Sequence, residues 1–308
     1  MVAETIDIKS RGRGIRRSNG EYVFALLNGT ALVGLALVML YPLMHVLAVS
    51  LSSPDFINAG LVSWVPRGLN IAGYEVILQN PDLLRAYANT VAYAGVGTFI
   101  TLTLTSMVAY SLAVPGFVLR TQLTIYLAIT MFFNGGLIPT YLLIRSLGMM
   151  NTFLVMVLPM AIQAFTVFVF RAFFRTVPNE LRESAFIDGA NDLRICFQII
   201  LPLSKPVLAT FGLFSVVGHW NRWFEALIYL RDPRRYPLQM ILRRFLIREQ
   251  LSLAFETSEA ASLVLQGVVH AENLKMAVIV VTMLPILCVY PFVQKYFTKG
   301  VIIGAIKG

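Results

Sequence analysis

The chain has 308 residues, 57% of them hydrophobic and only 13% charged. A soluble domain carries about a quarter charged residues, so the composition excludes one and places nearly all of the chain in a membrane. The net charge of +9 needs no nucleic acid, because Lys and Arg hold the loops of membrane proteins on the cytoplasmic side.

Residues 1–20 form a basic tail containing "KSRGRGIRR". The apolar run that follows, 22–49, is far longer than the roughly 7–15 residues of a signal-peptide core, so it reads as an uncleaved first span. A span needs roughly 20 mostly apolar residues. Five more candidates follow at 89–114, 121–144, 152–174, 206–229 and 274–294. The expected architecture is all-α and membrane-integral: a six-span unit over 21–299 with a short tail, 300–308. Pro42, Pro139, Pro159, Pro285 and Pro291 lie in or near spans, where neighbouring helices must cover the carbonyls they free. That suits a packed bundle.

Six spans put both ends on one side. If that side is the cytoplasm, most basic residues lie inside: the tail, Arg120, Arg171, the loop 175–205 and Lys295, Lys299 and Lys307. The short outer loops hold only Arg67, Arg85 and Arg145. The exception is the outer loop 230–273, with Arg231, Arg234, Arg235, Arg243, Arg244 and Arg248. Long loops cross with less regard to charge.

The loop 175–205 contains "ESAFIDGANDLRICFQIILP" (183–202), the most polar stretch in the middle of the chain. Pro178 suits a first helical position, and Glu180 and Glu183 favour the positive end of the helix dipole. Leu181, Ser184, Ala185 and Asp188 share one face of mostly small side chains. Gly189 can close that helix in the left-handed conformation, and a bulky residue there is also expected to clash with the turn. Asn191 is a good N-cap for a second short helix, which Pro202 stops. Connections usually have about 2–8 residues, so an ordered helix–turn–helix between two spans reads as a docking element for a cytoplasmic partner.

At these residues the chain resembles the EAA loop of ABC importer permeases: Glu183, Ala185, Gly189, Ile199, Leu201 and Pro202 stand at the family's spacing, with Ser184 where the family has Ala. The resemblance extends through "NGGLIPTYLLIRSLGMMNT", "WNRWFEAL" and "QKYFTKGVIIGAIKG" to the MalG-type carbohydrate permeases, particularly the oligosaccharide branch called LplC or YtcP. It covers the chain from about residue 20 to its end.

The resemblance implies the ABC type I importer permease fold in a bacterial cytoplasmic membrane, with both termini inside. It implies pairing with a second permease, a dimer of ATPase subunits below and an extracytoplasmic solute-binding protein above. Glu183, Ser184, Ala185, Asp188, Gly189, Ile199, Leu201 and Pro202 would couple to the ATPase, and the tail 300–308 would reach toward it. ATP and Mg would sit on the ATPase. This chain has no G-x-x-x-x-G-K-[ST] loop and is expected to bind no cofactor.

Polar groups inside spans are costly and tend to face a pore or one another. Asn134, Thr140, Tyr141, Gln163, Asn221, Arg222 and Glu225 are therefore candidates for the solute path, with Trp220 and Trp223 as aromatic faces for a sugar. The plainer alternatives are an ion pair between Arg222 and Glu225 and an interfacial aromatic belt. "NGG" before Pro139 signals a broken or tightly packed helix. Arg231, Arg234, Arg235 and Arg243 would contact the binding protein or an acidic sugar, such as a uronate oligosaccharide from alginate or pectin. A neutral oligosaccharide or another solute is the alternative.

Other classes fit poorly. His45, His219 and His270 make no H-E-x-x-H pair and there is no G-x-S-x-G elbow, so no enzyme or metal site is expected. Cys196 and Cys288 have no ligand spacing. A passive channel would explain the hydropathy but not the docking loop.

Overall fold

The computed structural model describes residues 19–247 and 271–305. Among these the chain is helical apart from loops, short turns and one isolated bridge between Ser52 and Leu69. The first helices in order are α1 (Asn19–Ser50), α2 (Pro54–Asn58), α3 (Ala72–Gln79) and α4 (Pro81–Ala113). Next come α5 (Arg120–Phe132), α6 (Leu137–Ser146), α7 (Leu154–Val157), α8 (Ala164–Phe174) and α9 (Asn179–Ile187). The chain then forms α10 (Asp192–Leu203), α11 (Lys205–Trp220), α12 (Trp223–Tyr229), α13 (Leu238–Ile247) and α14 (Ala271–Ala305).

Among the described residues, α1, α4 and the Ala271–Cys288 part of α14 are long and apolar enough to cross a membrane. The 32 residues of α1 span about 48 Å at roughly 1.5 Å per residue, more than the ~30 Å hydrocarbon layer. α4 begins at Pro81 rather than at residue 89. The Asn80 side chain accepts from the backbone N–H of Asp82 (3.0 Å) and Leu83 (3.1 Å), so a strong N-cap with Pro next to it starts the helix early.

The stretches expected as spans at 121–144, 152–174 and 206–229 are each two helices, the first interrupted at the "NGG" that signalled a broken or tightly packed helix. Between α5 and α6, Asn134 Oδ1 accepts from the Gly136 N–H (2.9 Å), and Gly136 has φ +84°, a region glycine enters at little cost. Between α7 and α8 the break carries Pro159 and Met160, the latter at φ +65°. Between α11 and α12 the break is Asn221–Arg222. The segment 300–305, expected as a separate tail, continues α14; residues 306–308 lie outside the described residues.

Among the described residues, three buried clusters hold the bundle together. One packs Val76, Ile77, Leu83 and Ala94 against Trp220, Leu238 and Leu274. A second joins the C-terminal half of α4 (Ala109, Tyr110, Leu112) to Val167, Phe170 and Phe174 of α8 and to Ile195, Cys196 and Ile200 of α10. A third gathers Tyr93, Val155, Met156 and Val157 under Tyr229, Leu230, Tyr236 and Met240.

The long helix α1 is exposed along most of its length and attached at its end. There Asn273 Nδ2 of α14 donates to the carbonyls of Val49 (3.0 Å), Ser50 (3.0 Å) and Ser52 (3.1 Å). These are orphan carbonyls at a helix C-terminus. Gly73 makes room for the amide, since a Cβ there would collide with Asn273 Oδ1. Asn273→Ala is expected to lower the stability of the purified protein by about 1–3 kcal/mol. Gly73→Ala should destabilise it too, by crowding, and the pair should cost less than the two singles added. Thermal melts of the four proteins check this; strict additivity would show that the two residues do not share the space.

Candidate functional site

The polar loop is built by local rules. α9 ends in a paired closure: Ala190 N–H donates to Ala185 O (2.9 Å) and Gly189 N–H to Phe186 O (3.0 Å), with Gly189 at φ +79°. This is a Schellman turn. Asn191 then caps α10, its side chain accepting from the Arg194 N–H at 2.8 Å. Three details differ from expectation. A Cβ on Gly189 would meet nothing within 4 Å, so only the backbone conformation excludes other residues. Pro178 precedes α9 instead of opening it. Pro202 does not stop α10 at once: residues 196–200 widen into π geometry, and the helix turns through 89° at Ser204 into α11. Widening before a proline relieves the clash of its ring with the preceding turn.

The loop is also less free than a purely polar connector. Ala185, Ile195, Cys196 and Ile200 are buried in the second cluster. Glu183, Ser184, Asp188, Ile187 and Leu181 remain exposed. Glu183 has no partner within the described residues, and Ser184 donates back to Glu180 O (2.7 Å). Ile199 is half-buried, and Leu201 and Pro202 lie at the bend. The exposed side of α9 therefore offers an apolar and acidic surface.

One contact ties this loop to the bundle and was not foreseen. Tyr110, buried on the last turn of α4, donates to Asp192 Oδ1 at 2.8 Å, and Arg182 of α9 lies 3.7 Å from the same oxygen. A tyrosine at the end of an apolar helix reads from sequence as an interfacial aromatic; its partner is 82 residues away. Tyr110, Arg120, Arg175, Asn179 and Arg182 line a cavity of about 180 Å³ beside the loop. Tyr110→Phe removes one charge-assisted bond of about 1.5–3 kcal/mol and keeps the ring. Hydrolysis and uptake measured together in the assembled complex should show fewer solutes moved per ATP. An unchanged ratio would exclude a mechanical role for Tyr110.

The candidate path residues divide. Gln163, exposed at the start of α8, lines a second cavity of about 100 Å³ with Thr101, Leu102, Met160, Thr166, Phe211, Phe214, Ser215, Gly218, His219 and Arg222. Trp220 does not reach it: its ring is buried in the first cluster, edge-on to Tyr87 at 5.9 Å. Asn134 and Thr140 serve the α5–α6 break, Thr140 donating to Gly136 O at 2.7 Å. Tyr141 stacks on Tyr229 at 6.4 Å. Asn221 accepts from Gln239 at 3.2 Å. Trp223 carries the Arg243 guanidinium 4.4 Å over its ring, a cation–π contact.

The ion pair between Arg222 and Glu225 does not form. The ion pairs among the described residues are Arg85–Asp82, Arg182–Asp192 and Arg235–Asp232. Arg222 Nη1 instead donates to the carbonyls of Met156 (3.0 Å) and Pro159 (3.4 Å). The α7–α8 break frees those oxygens, and a cation placed 66 residues later covers them.

The basic segment that begins at Arg231 has a hydrogen-bonded base. Asn89 donates to the carbonyls of Arg234 (2.8 Å) and Tyr236 (3.2 Å), Tyr93 to that of Arg235 (2.9 Å), and Asn151 accepts from the N–H of Arg231 and Asp232. The side chains of Arg231, Arg234 and Arg235 stay exposed. Arg248 lies outside the described residues.

Comparison with known proteins adds three findings. Residues 90–303 match the model of the family described as binding-protein-dependent transport system inner membrane component. Over 93% of the chain, the sequence is 38% identical to Protein LplC of Bacillus subtilis, covering 95% of it, and 36% identical to the polygalacturonan/rhamnogalacturonan transport system permease protein YtcP of the same organism, covering 99% of it. The fold superposes with a TM-score of 0.86 and 32% identity on a chain of a bacterial ABC transporter involved in the import of the acidic polysaccharide alginate, covering 91% of this chain and 99% of that one.

Proposed function

We propose that this chain, which belongs to the family of inner membrane components of binding-protein-dependent transport systems, is the translocating subunit of an ATP-driven importer of acidic oligosaccharides. The observation that carries the substrate class is the likeness over more than nine-tenths of the chain to two proteins whose sugars are acidic, one handling alginate and one polygalacturonan.

In this reading both termini and the 175–205 loop face the cytoplasm, and the chain pairs with a second permease. The exposed side of α9 seats in an ATPase subunit, which holds the ATP and Mg. When the ATPase dimer closes, α9 moves with it. Tyr110 and Asp192 pass that motion to α4, and the bend at Ser204 passes it to α11. The spans then alternate between inward-open and outward-open. The exposed arginines at 231, 234 and 235 face the binding protein, where their charge speeds encounter with an acidic surface. As a translocation subunit the chain carries out no hydrolysis itself.

The test uses the whole importer in proteoliposomes with its binding protein. Uronate tetrasaccharides are expected to stimulate ATP hydrolysis and enter the vesicles, while neutral tetrasaccharides of the same length do neither. Equal stimulation by both would overturn the acidic class. Absence of hydrolysis with any sugar would overturn carbohydrate import.

A further inference from the structure

Arg222 stands at a break between two helices, half-buried, with no carboxylate within salt-bridge distance among the described residues. A guanidinium has five N–H donors. Nη1 serves Met156 O and Pro159 O; Nε and Nη2 make no hydrogen bond within the described chain. Capping two carbonyls needs one donor group, which a Lys or Gln could supply. The rest of the fork is unexplained, and an ionisable group among spanning helices is expensive to keep.

What surrounds it suits a sugar. The cavity wall holds the hydroxyls of Thr101 and Ser215 and the Gln163 amide beside the rings of Phe211 and Phe214. His219, one turn before Arg222, also lines the cavity. It is 3% exposed, and its Nδ1 is buried with no partner. Its ring rests against Gly97 of α4, with Nε2 2.6 Å from where a Cβ would stand. The helix breaks at Leu158–Gln163 and Asn221–Arg222 both border the space. Irregular backbone at membrane depth is tolerated where it lines a cavity.

We propose that this cavity between α4, α8 and α11 is a subsite for one uronate unit, with the free edge of the Arg222 fork holding its carboxylate and the Gln163 amide facing its hydroxyls. The inference rests on the acidic-oligosaccharide reading above. A carboxylate accepts two parallel N–H bonds from the guanidinium edge and would supply the counter-charge that no described residue supplies there. Glu225, three residues on, stays outside salt-bridge distance and leaves the fork open.

The test compares a uronate tetrasaccharide with its carboxyl-reduced neutral counterpart in proteoliposomes containing the complete importer. Arg222→Gln is expected to lower kcat/KM for the uronate at least tenfold and to lower the uronate-to-neutral ratio by the same factor, with normal subunit stoichiometry. Arg222→Lys, which keeps the charge but not the fork, should recover part of that loss. Gly218→Leu fills the cavity and leaves the Arg222 carbonyl bonds alone, because a Cβ at Gly218 meets nothing within 4 Å; it should stop uronate uptake, and it carries the test if Arg222→Gln fails to assemble. Equal losses for both sugars in Arg222→Gln, or wild-type uronate uptake in Gly218→Leu, would overturn the subsite while the importer still moved uronates. A wild-type importer that ignores uronates would overturn the substrate class itself and the subsite with it.

Discussion

Gly189→Val is expected to give an importer that inserts and assembles but has lost most of its coupling between hydrolysis and uptake. The residue sits at φ +79° in the turn that closes α9 and sets its angle to α10. A non-glycine residue pays about 1–2 kcal/mol for that conformation, and a β-branched one is a true outlier there. A penalty of this size shifts the population of the turn by roughly 5–30-fold. Open space around the position makes the substitution a test of backbone geometry alone. Gly189→Asn should therefore keep more than half the coupling, since Asn visits the left-handed region. The ratio of sugar taken up to ATP hydrolysed, measured for glycine, asparagine and valine, gives the series. Full coupling in the valine protein would remove this turn from the transmission path.

Gly97→Val is expected to act elsewhere, on the seam between α4 and α11. The missing side chain of Gly97 is what lets the His219 ring lie against α4. A valine there must displace the ring or part the helices, an overpacking cost of about 1–3 kcal/mol. The purified protein should melt lower and recover poorly with its partner subunits. His219→Ala, combined with Gly97→Val, should restore part of the loss, because it removes the group the valine strikes. If Gly97→Val melts with the wild type, the close approach has no energetic weight. If the double variant is worse than the single, the conflict lies with a neighbour other than His219.

These two glycines separate what could be read along the chain from what could not. Gly189 was legible because everything that defines it is local: acidic residues at the start of a short helix, small ones on its face, a glycine at its end, an asparagine to begin the next. Gly97 was not, since its meaning depends on a histidine 122 residues later (219 − 97).

The sequence by itself determined the membrane class, the capped and closed polar loop 175–205, and the family pattern spread over twenty residues. Hydropathy, caps and turn residues act within a few positions of themselves, so they survive without a tertiary structure. Only the tertiary structure decided which face of each helix meets a neighbour. In a soluble helix the apolar stripe marks that face. Lipid tails are as apolar as Leu, so a spanning helix can be apolar all round and carries no such stripe. Trp220 therefore looked like a sugar platform and lies in the core, Arg222, read as a path residue or else as the partner of Glu225, covers the carbonyls of a broken helix, and Tyr110 gave no sign of its bond to Asp192.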